Sequence, residues 1–149
     1  MNDEQTRERR VIGILAAGDA AAIDRYFLSL DDIPEWRFLR PPETGLVMMR
    51  GRIGGDGGPF NVGEVTVTRA AVSLADGPTG FAYALGRDRK KAEQSAVMHA
   101  LWRLPARRGE IERDILAPLE ATAAERHATT RREVEPTKVN FFTVVRGDD

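Results

Sequence analysis

Between Glu43 and Glu93, three segments rich in β-forming residues are parted by turn chemistry and run straight into a helix signal, an order that few architectures accommodate. The first segment ends in a glycine-rich loop from Gly51 to Gly63; the second carries Val65, Thr66, Val67 and Thr68; the third spans Gly80 to Gly86. Asp76-Gly77 reads as the tight turn between the second and third, since glycine tolerates the positive φ that such turns demand. The pattern predicts an antiparallel meander over about 43–86, closed by a helix.

Alternation within the meander is close to period two. Val47 and Met49 share a face with Gly51 and Ile53, and Leu46, Met48, Arg50 and Arg52 share the other. Val62, Thr66, Ala70 and Val72 alternate with Val65, Val67 and Arg69, and Phe81, Tyr83 and Leu85 project opposite Ala82 and Ala84. Successive side chains point to opposite faces, so the expectation is a packed face of large apolar groups and a second face that is small or polar. A lone hairpin is marginal in water, so helices must cover this sheet.

The flanking sequence supplies them. About Asp3 to Ala17 reads as a helix with Val11, Ile14 and Leu15 on one stripe. Gly18 suits its end, and Asp19 caps a second helix carrying Ala20, Ile23, Phe27 and Leu30. Ser29 to Pro42 reads as an extended connector. Asp88 caps a helix to about Leu104, with Val97, Ala100, Leu101 and Leu104 inward, and Pro105 stops it. Another helix begins near Arg108 with Ile111 and Ile115, and Pro118 breaks or kinks it.

Leu119 to Glu133 has only a thin apolar stripe, so it is either solvated or covers a partner. Val139 to Val145 is a strong strand with apolar groups on both faces, which belongs inside a sheet of this molecule or of another. The fold class is therefore α+β in a single domain. Its parts are a helical hairpin (1–30), the sheet (43–86), helices (88–133) and a C-terminal strand and tail (137–149) available to pair with another chain.

Composition excludes several functions. At 149 residues the chain can bury a real core, and its net charge of −1 gives no overall pull toward nucleic acid or an anionic membrane. It has no cysteine, hence no disulfide, thiolate catalysis or sulfur-held metal of its own. No stretch approaches the roughly 20 apolar residues of a membrane span, and the N-terminus has no signal core. A soluble, cytoplasmic protein is expected.

Candidate chemistry is sparse. The glycine-rich loop, with Gly54 and Gly55 beside Arg52, could hold an anion on its amides, but it joins two strands instead of leading into a helix, so a flexible hairpin loop is the plainer reading. The junction from Leu85 to Lys90 does lead from strand to helix, where free amides favour anions and Arg87 and Arg89 could bind phosphate oxygens. Against this, Asp88 already suits that helix end. Arg50, Arg52 and Arg69 in the strands favour structural ion pairs over a substrate clamp, with Glu64 as a natural partner. His99 and His127, the only histidines, lie far apart and make no metal set; no catalytic triad can be assembled. Trp36 and Trp102 read as core or interface.

Taken in order, Glu43-Thr-Gly-Leu-Val, Arg52 with its glycine loop, Thr66-x-Thr-Arg-Ala-Ala-Val, Asp76-Gly, Gly86-Arg-Asp with Ala92-Glu93, Ile115-Leu-Ala-Pro-Leu and Phe141-Phe-Thr-Val-Val-Arg-Gly-Asp resemble the PhnG family. These are small subunits of the bacterial carbon–phosphorus lyase core complex. The resemblance covers nearly the whole chain, and it is loose only in the N-terminal helices and the arginine-rich 120s.

It implies a subunit acting with PhnH, PhnI and PhnJ, and functionally with PhnL, in alkylphosphonate catabolism. That complex attaches phosphonate to the anomeric carbon of the ribose of ATP and releases adenine. The resemblance carries over no catalytic residue, and it implies ATP as a substrate of the complex and no cofactor in this chain. A structural or assisting role is expected, with Phe141, Phe142, Val144, Val145 and Arg146 as candidate interface. The alternative is a phosphate or phosphonate site shared with another subunit through Arg87 and Arg89.

Overall fold

The computed structural model describes residues 2–52, 59–75, 77–126 and 128, with backbone alone at 49–52 and 59–62. Helices α1 (Asp3–Ala17) and α2 (Ala20–Leu28) precede strands β1 (Trp36–Arg52), β2 (Pro59–Leu74) and β3 (Thr79–Leu85). Helices α3 (Arg89–Trp102) and α4 (Pro105–Ile111) follow, and α4 runs on into a π-helical turn (Glu112–Leu116) and further helical turns over 117–126. The sheet is an antiparallel meander in the order β1-β2-β3. The expected α+β architecture is present.

Its helix boundaries follow from side-chain caps. Asn2 accepts from the Gln5 amide at 2.8 Å, Asp19 from Ala22 at 3.2 Å and Asp88 from Lys91 at 3.0 Å, each satisfying an amide that the first turn leaves free. Gly18 ends α1 in extended geometry, not the left-handed one; its small size is what matters, because a β-carbon there would lie 2.9 Å from Ile23 Cδ1.

Several expectations need correction. The connector ends early: β1 already begins at Trp36 and passes through Pro41 and Pro42. Two prolines fit because β1 is an edge strand and its register slips between Phe38 and Arg40 and again between Arg40 and Glu43. The turn after β2 occupies four positions, 75–78, closed by Leu74 N–H on the Pro78 carbonyl (3.1 Å) and Gly77 N–H on the Leu74 carbonyl (3.3 Å). Gly86, at φ 84°, takes a left-handed conformation where β3 hands over to α3.

The prolines of the helical half also behave differently. Pro105 does not merely stop α3, which ends at Trp102, but opens α4 three residues before the expected start at Arg108. Pro118 does not break its helix. The π-turn immediately before it, closed by Ala117 N–H on the Glu112 carbonyl, widens the spiral where the proline ring would otherwise meet a carbonyl.

The largest correction concerns which side of the sheet is buried. Helix α3 lies across all three strands, α1 packs beside it on β3, and α2 rests on α3 without spreading over the sheet. On β3 the buried residues are Gly80, Ala82 and Ala84, whereas Phe81, Tyr83 and Leu85 face outward. Gly80 has no room for a β-carbon, which would collide with the carbonyl of Ala96 and the backbone of Ala100. Ala92, Ala96 and Ala100, spaced four apart on α3 and fully buried, complete the close approach. The large core side chains come instead from the helices: Val11, Leu15, Ile23, Met98, Leu101, Trp102, Ile111, Ile115 and Leu116.

Candidate functional site

Residues paired directly across an antiparallel ladder share a face. The register therefore sets out the sheet's outer side row by row. Phe81 stands beside Ala71 and Arg40; Tyr83 beside Arg69 and Glu43; Leu85 beside Val67 and Gly45; Val65 faces Val47; and Arg37 faces Ser73. Leu85 is 65% exposed, Phe81 47% and Tyr83 41%, although each is large and apolar in its body. Val67 and Ala71, in the same rows, are buried. Arg37, Arg40 and Arg69 are exposed, and Arg40 touches Glu43 at 3.7 Å.

Further along β1, Leu46, Val47 and Met48 are all exposed, so apolar groups stand out on both faces of this end of the β1–β2 pair. The expectation of one packed face fails here for a simple reason: α3 is too short to reach the far end of strands this long.

Behind the sheet, His99 is a core residue. Its Nδ1 accepts the backbone N–H of Phe81 at 2.9 Å, its Nε2 faces Glu8 Oε1 at 3.5 Å, and its ring stacks on Trp102. With Nδ1 accepting, the proton of the neutral ring sits on Nε2. Burial is the main force pushing the His99 pKa from 6.5 down to about 4, and the Arg103 charge adds to it against the opposing Glu8. Arg103 binds Glu8 (3.0 Å) and the Thr79 carbonyl (3.0 Å), tying α1, α3 and β3 together. Trp102 is core, as expected: its indole donates to Glu112 (2.9 Å) under the Arg108 guanidinium, while Trp36 is half-buried against Phe38.

The strand-to-helix junction is more occupied than its sequence suggests. Arg89 donates to the Pro42 carbonyl at 3.0 Å and so fastens β1 to the start of α3. Asp88 takes up the first-turn amide that an anion would need. Arg87 is exposed, with no polar partner among the described residues. Glu64 and Arg69 lie on opposite faces of β2 and form no ion pair; the register places Glu64 against Met48 and Arg50 against Asn61.

The side chain of Arg52, residues Gly54 and Gly55, Asp76, His127, and the candidate interface Phe141, Phe142, Val144, Val145 and Arg146 lie outside the described residues. Among the described residues no group of three His, Asp or Glu side chains could hold a metal, and no helix is long and apolar enough to cross a membrane.

Reading from sequence missed Arg37 and Arg40, placed in a connector, and missed the outward turn of Phe81, Tyr83 and Leu85. The signal was available in the two small-residue stripes, Gly80-Ala82-Ala84 and Ala92-Ala96-Ala100, which match each other better than any large-residue face matches α3.

Among the described residues the sheet is covered by helices on one side and carries exposed apolar groups and arginines on the other, a surface of the kind that marks interaction sites. Residues 5–147 match the family described as phosphonate metabolism protein PhnG, and the chain belongs to that family. It is also similar, at 42% identity over 146 residues (96% of this chain and 91% of the relative), to the alpha-D-ribose 1-methylphosphonate 5-triphosphate synthase subunit PhnG of Rhizobium meliloti (strain 1021).

Proposed function

We propose that this chain is an assisting, non-catalytic subunit of a cytoplasmic synthase complex in phosphonate metabolism, one that joins phosphonate to the ribose of ATP with release of adenine. The observation that carries this reading is the outer sheet face, where Phe81, Tyr83 and Leu85 stand exposed in adjacent rows. Subunits committed to permanent association carry larger and more hydrophobic contact surfaces than transient partners. The Rhizobium relative is named as a subunit of alpha-D-ribose 1-methylphosphonate 5-triphosphate synthase, which supports a subunit role in phosphonate metabolism. In this reading the partners are PhnH, PhnI and PhnJ, with PhnL acting functionally.

Size exclusion with light scattering tests it, on the chain alone and on the chain co-expressed with those subunits. The expected result is a stable mixed complex and poor solubility of the isolated chain. Deletion of residues 137–149 then reports whether the C-terminal segment contributes to docking. A well-behaved monomer indifferent to the other subunits would refute the proposal, as would adenine release from ATP and phosphonate by this chain alone.

A further inference from the structure

The outer face has a charge as well as a shape. Its described side chains include three arginines, Arg37, Arg40 and Arg69, against one carboxylate, Glu43, in a chain whose net charge is −1. Among the described residues no lysine lies on it; Lys90 and Lys91 belong to α3. Exposed Phe and Tyr flanked by Arg, without Lys, is the composition of the energetic centre of a protein interface and not of ordinary surface. Arginine loses less hydration than lysine on burial and pairs with carboxylates through two parallel bonds.

The sheet's edges offer less. On β3 the N–H of Phe81 is already taken by His99, and α1 packs against the strand. On β1 the register slips around Pro41 and Pro42, and neither proline has an N–H to offer an incoming strand. The face, not an edge, is what a partner can use along this part of the sheet.

Resting on the subunit reading above, we infer that the outer sheet face docks a pre-formed surface of another subunit whose centre is apolar and whose rim carries carboxylates set against Arg37, Arg40 and Arg69. The apolar rows supply the burial and the arginines fix orientation and partner choice, since like-charged or neutral surfaces leave them desolvated and unpaired.

Because the chain has no cysteine, label recovered on this chain, separated from its partners after quenching, reports the introduced residue alone. Tyr83→Cys and Arg69→Cys are labelled with a maleimide in the free chain and in the co-expressed complex, alongside Arg37→Glu, Arg40→Glu and Arg69→Glu combined in one variant. The expected result is labelling slowed about tenfold or more in the complex, with the triple variant binding at least about 100-fold more weakly at moderate salt. Circular dichroism of the triple variant separates lost docking from lost folding.

Unchanged labelling within a stable complex would overturn this inference and leave the subunit reading intact. Protection with an indifferent triple variant would overturn the carboxylate rim. A wild-type chain that forms no complex would remove both readings. Protection in the isolated chain at doubled mass would assign the face to a second copy, and protection by ATP or RNA without other subunits would make it a ligand platform; either result overturns the inference.

Discussion

The two faces of β3 differ in almost everything that governs their behaviour. The inner face is Gly80, Ala82 and Ala84, fitted against the alanines of α3 with no spare volume. The outer face is Phe81, Tyr83 and Leu85, with far more apolar area and nothing over it among the described residues. Close packing is unforgiving, because an added methyl group must push a helix backbone aside, whereas an open face tolerates change in the isolated chain. The inner face thus determines whether the chain folds, and the outer face what it does once folded.

The sharpest way to break that contrast is Gly80→Val. The new side chain would drive into the backbone of α3 at Ala96 and Ala100, and overpacking of this kind costs about 3 kcal/mol or more. Urea unfolding should show a midpoint far below that of the parent, or no folded state at all. A near-normal midpoint would mean that α3 can slide, and that the two faces differ less than their packing indicates.

The next effect is a pH dependence seated just behind the sheet. His99 is neutral in the fold, with its pKa pushed down to about 4 by burial; in the unfolded chain it takes up a proton below its ordinary 6.5. The unfolded state therefore binds more protons in that window, so stability is complete above about pH 6.5 and drains away as pH falls toward about 4. The loss amounts to about 3 kcal/mol. Protonation would also set an N–H at Nδ1 against the N–H of Phe81, which it now accepts. His99→Asn, which can keep an acceptor near that amide, should show a flatter stability profile between those pH values than the parent. Parallel profiles would locate the acid sensitivity elsewhere.

These effects also mark what could be read in advance. The caps Asp19 and Asp88, the α+β order and the α1 stripe of Val11 and Leu15 depend on local rules that act within a few residues. Period-two alternation showed which residues share a face, but not which face meets the helices, because that depends on the helix that arrives. Large apolar groups are the usual choice for the inside, and here a small-on-small fit took precedence. Pro41 and Pro42 misled, and Pro118 did not break its helix, for a related reason: an edge strand and a π-turn each relieve the constraint that proline imposes, and neither is visible in the residues around it. At the candidate site, Arg89 stood as a possible anion ligand beside the plainer structural reading, and its bond to the Pro42 carbonyl spans 47 positions of sequence.

The outer face should be nearly silent in stability. Tyr83→Thr with Leu85→Thr keeps strand-compatible side chains and removes exposed apolar area, so the isolated chain should unfold within about 0.5 kcal/mol of the parent, with better solubility. The same pair of changes should weaken assembly with the other subunits, read by co-elution. Loss of stability without loss of assembly would reverse the roles assigned to the two faces.

Small effects are also expected at the strand-to-helix junction, and there they decide between assistance and direct participation in binding. Arg89→Ala removes one partly exposed bond to the Pro42 carbonyl and should cost about 0.5–1 kcal/mol in unfolding. Arg87→Ala removes an exposed charge and should leave stability unchanged within about 0.5 kcal/mol. Under the assisting role, neither change alters the KM of the assembled complex for ATP or for phosphonate by more than about twofold, because uniform binding energy is drawn from other subunits. A KM raised tenfold or more with the complex intact would mean that Arg87 or Arg89 meets the triphosphate or phosphonate directly, and that a second functional surface lies at this end of the sheet. Asp88 argues against that outcome: its carboxylate already accepts from Lys91 at the head of α3, so an incoming anion would find both its amide and its favourable charge already claimed.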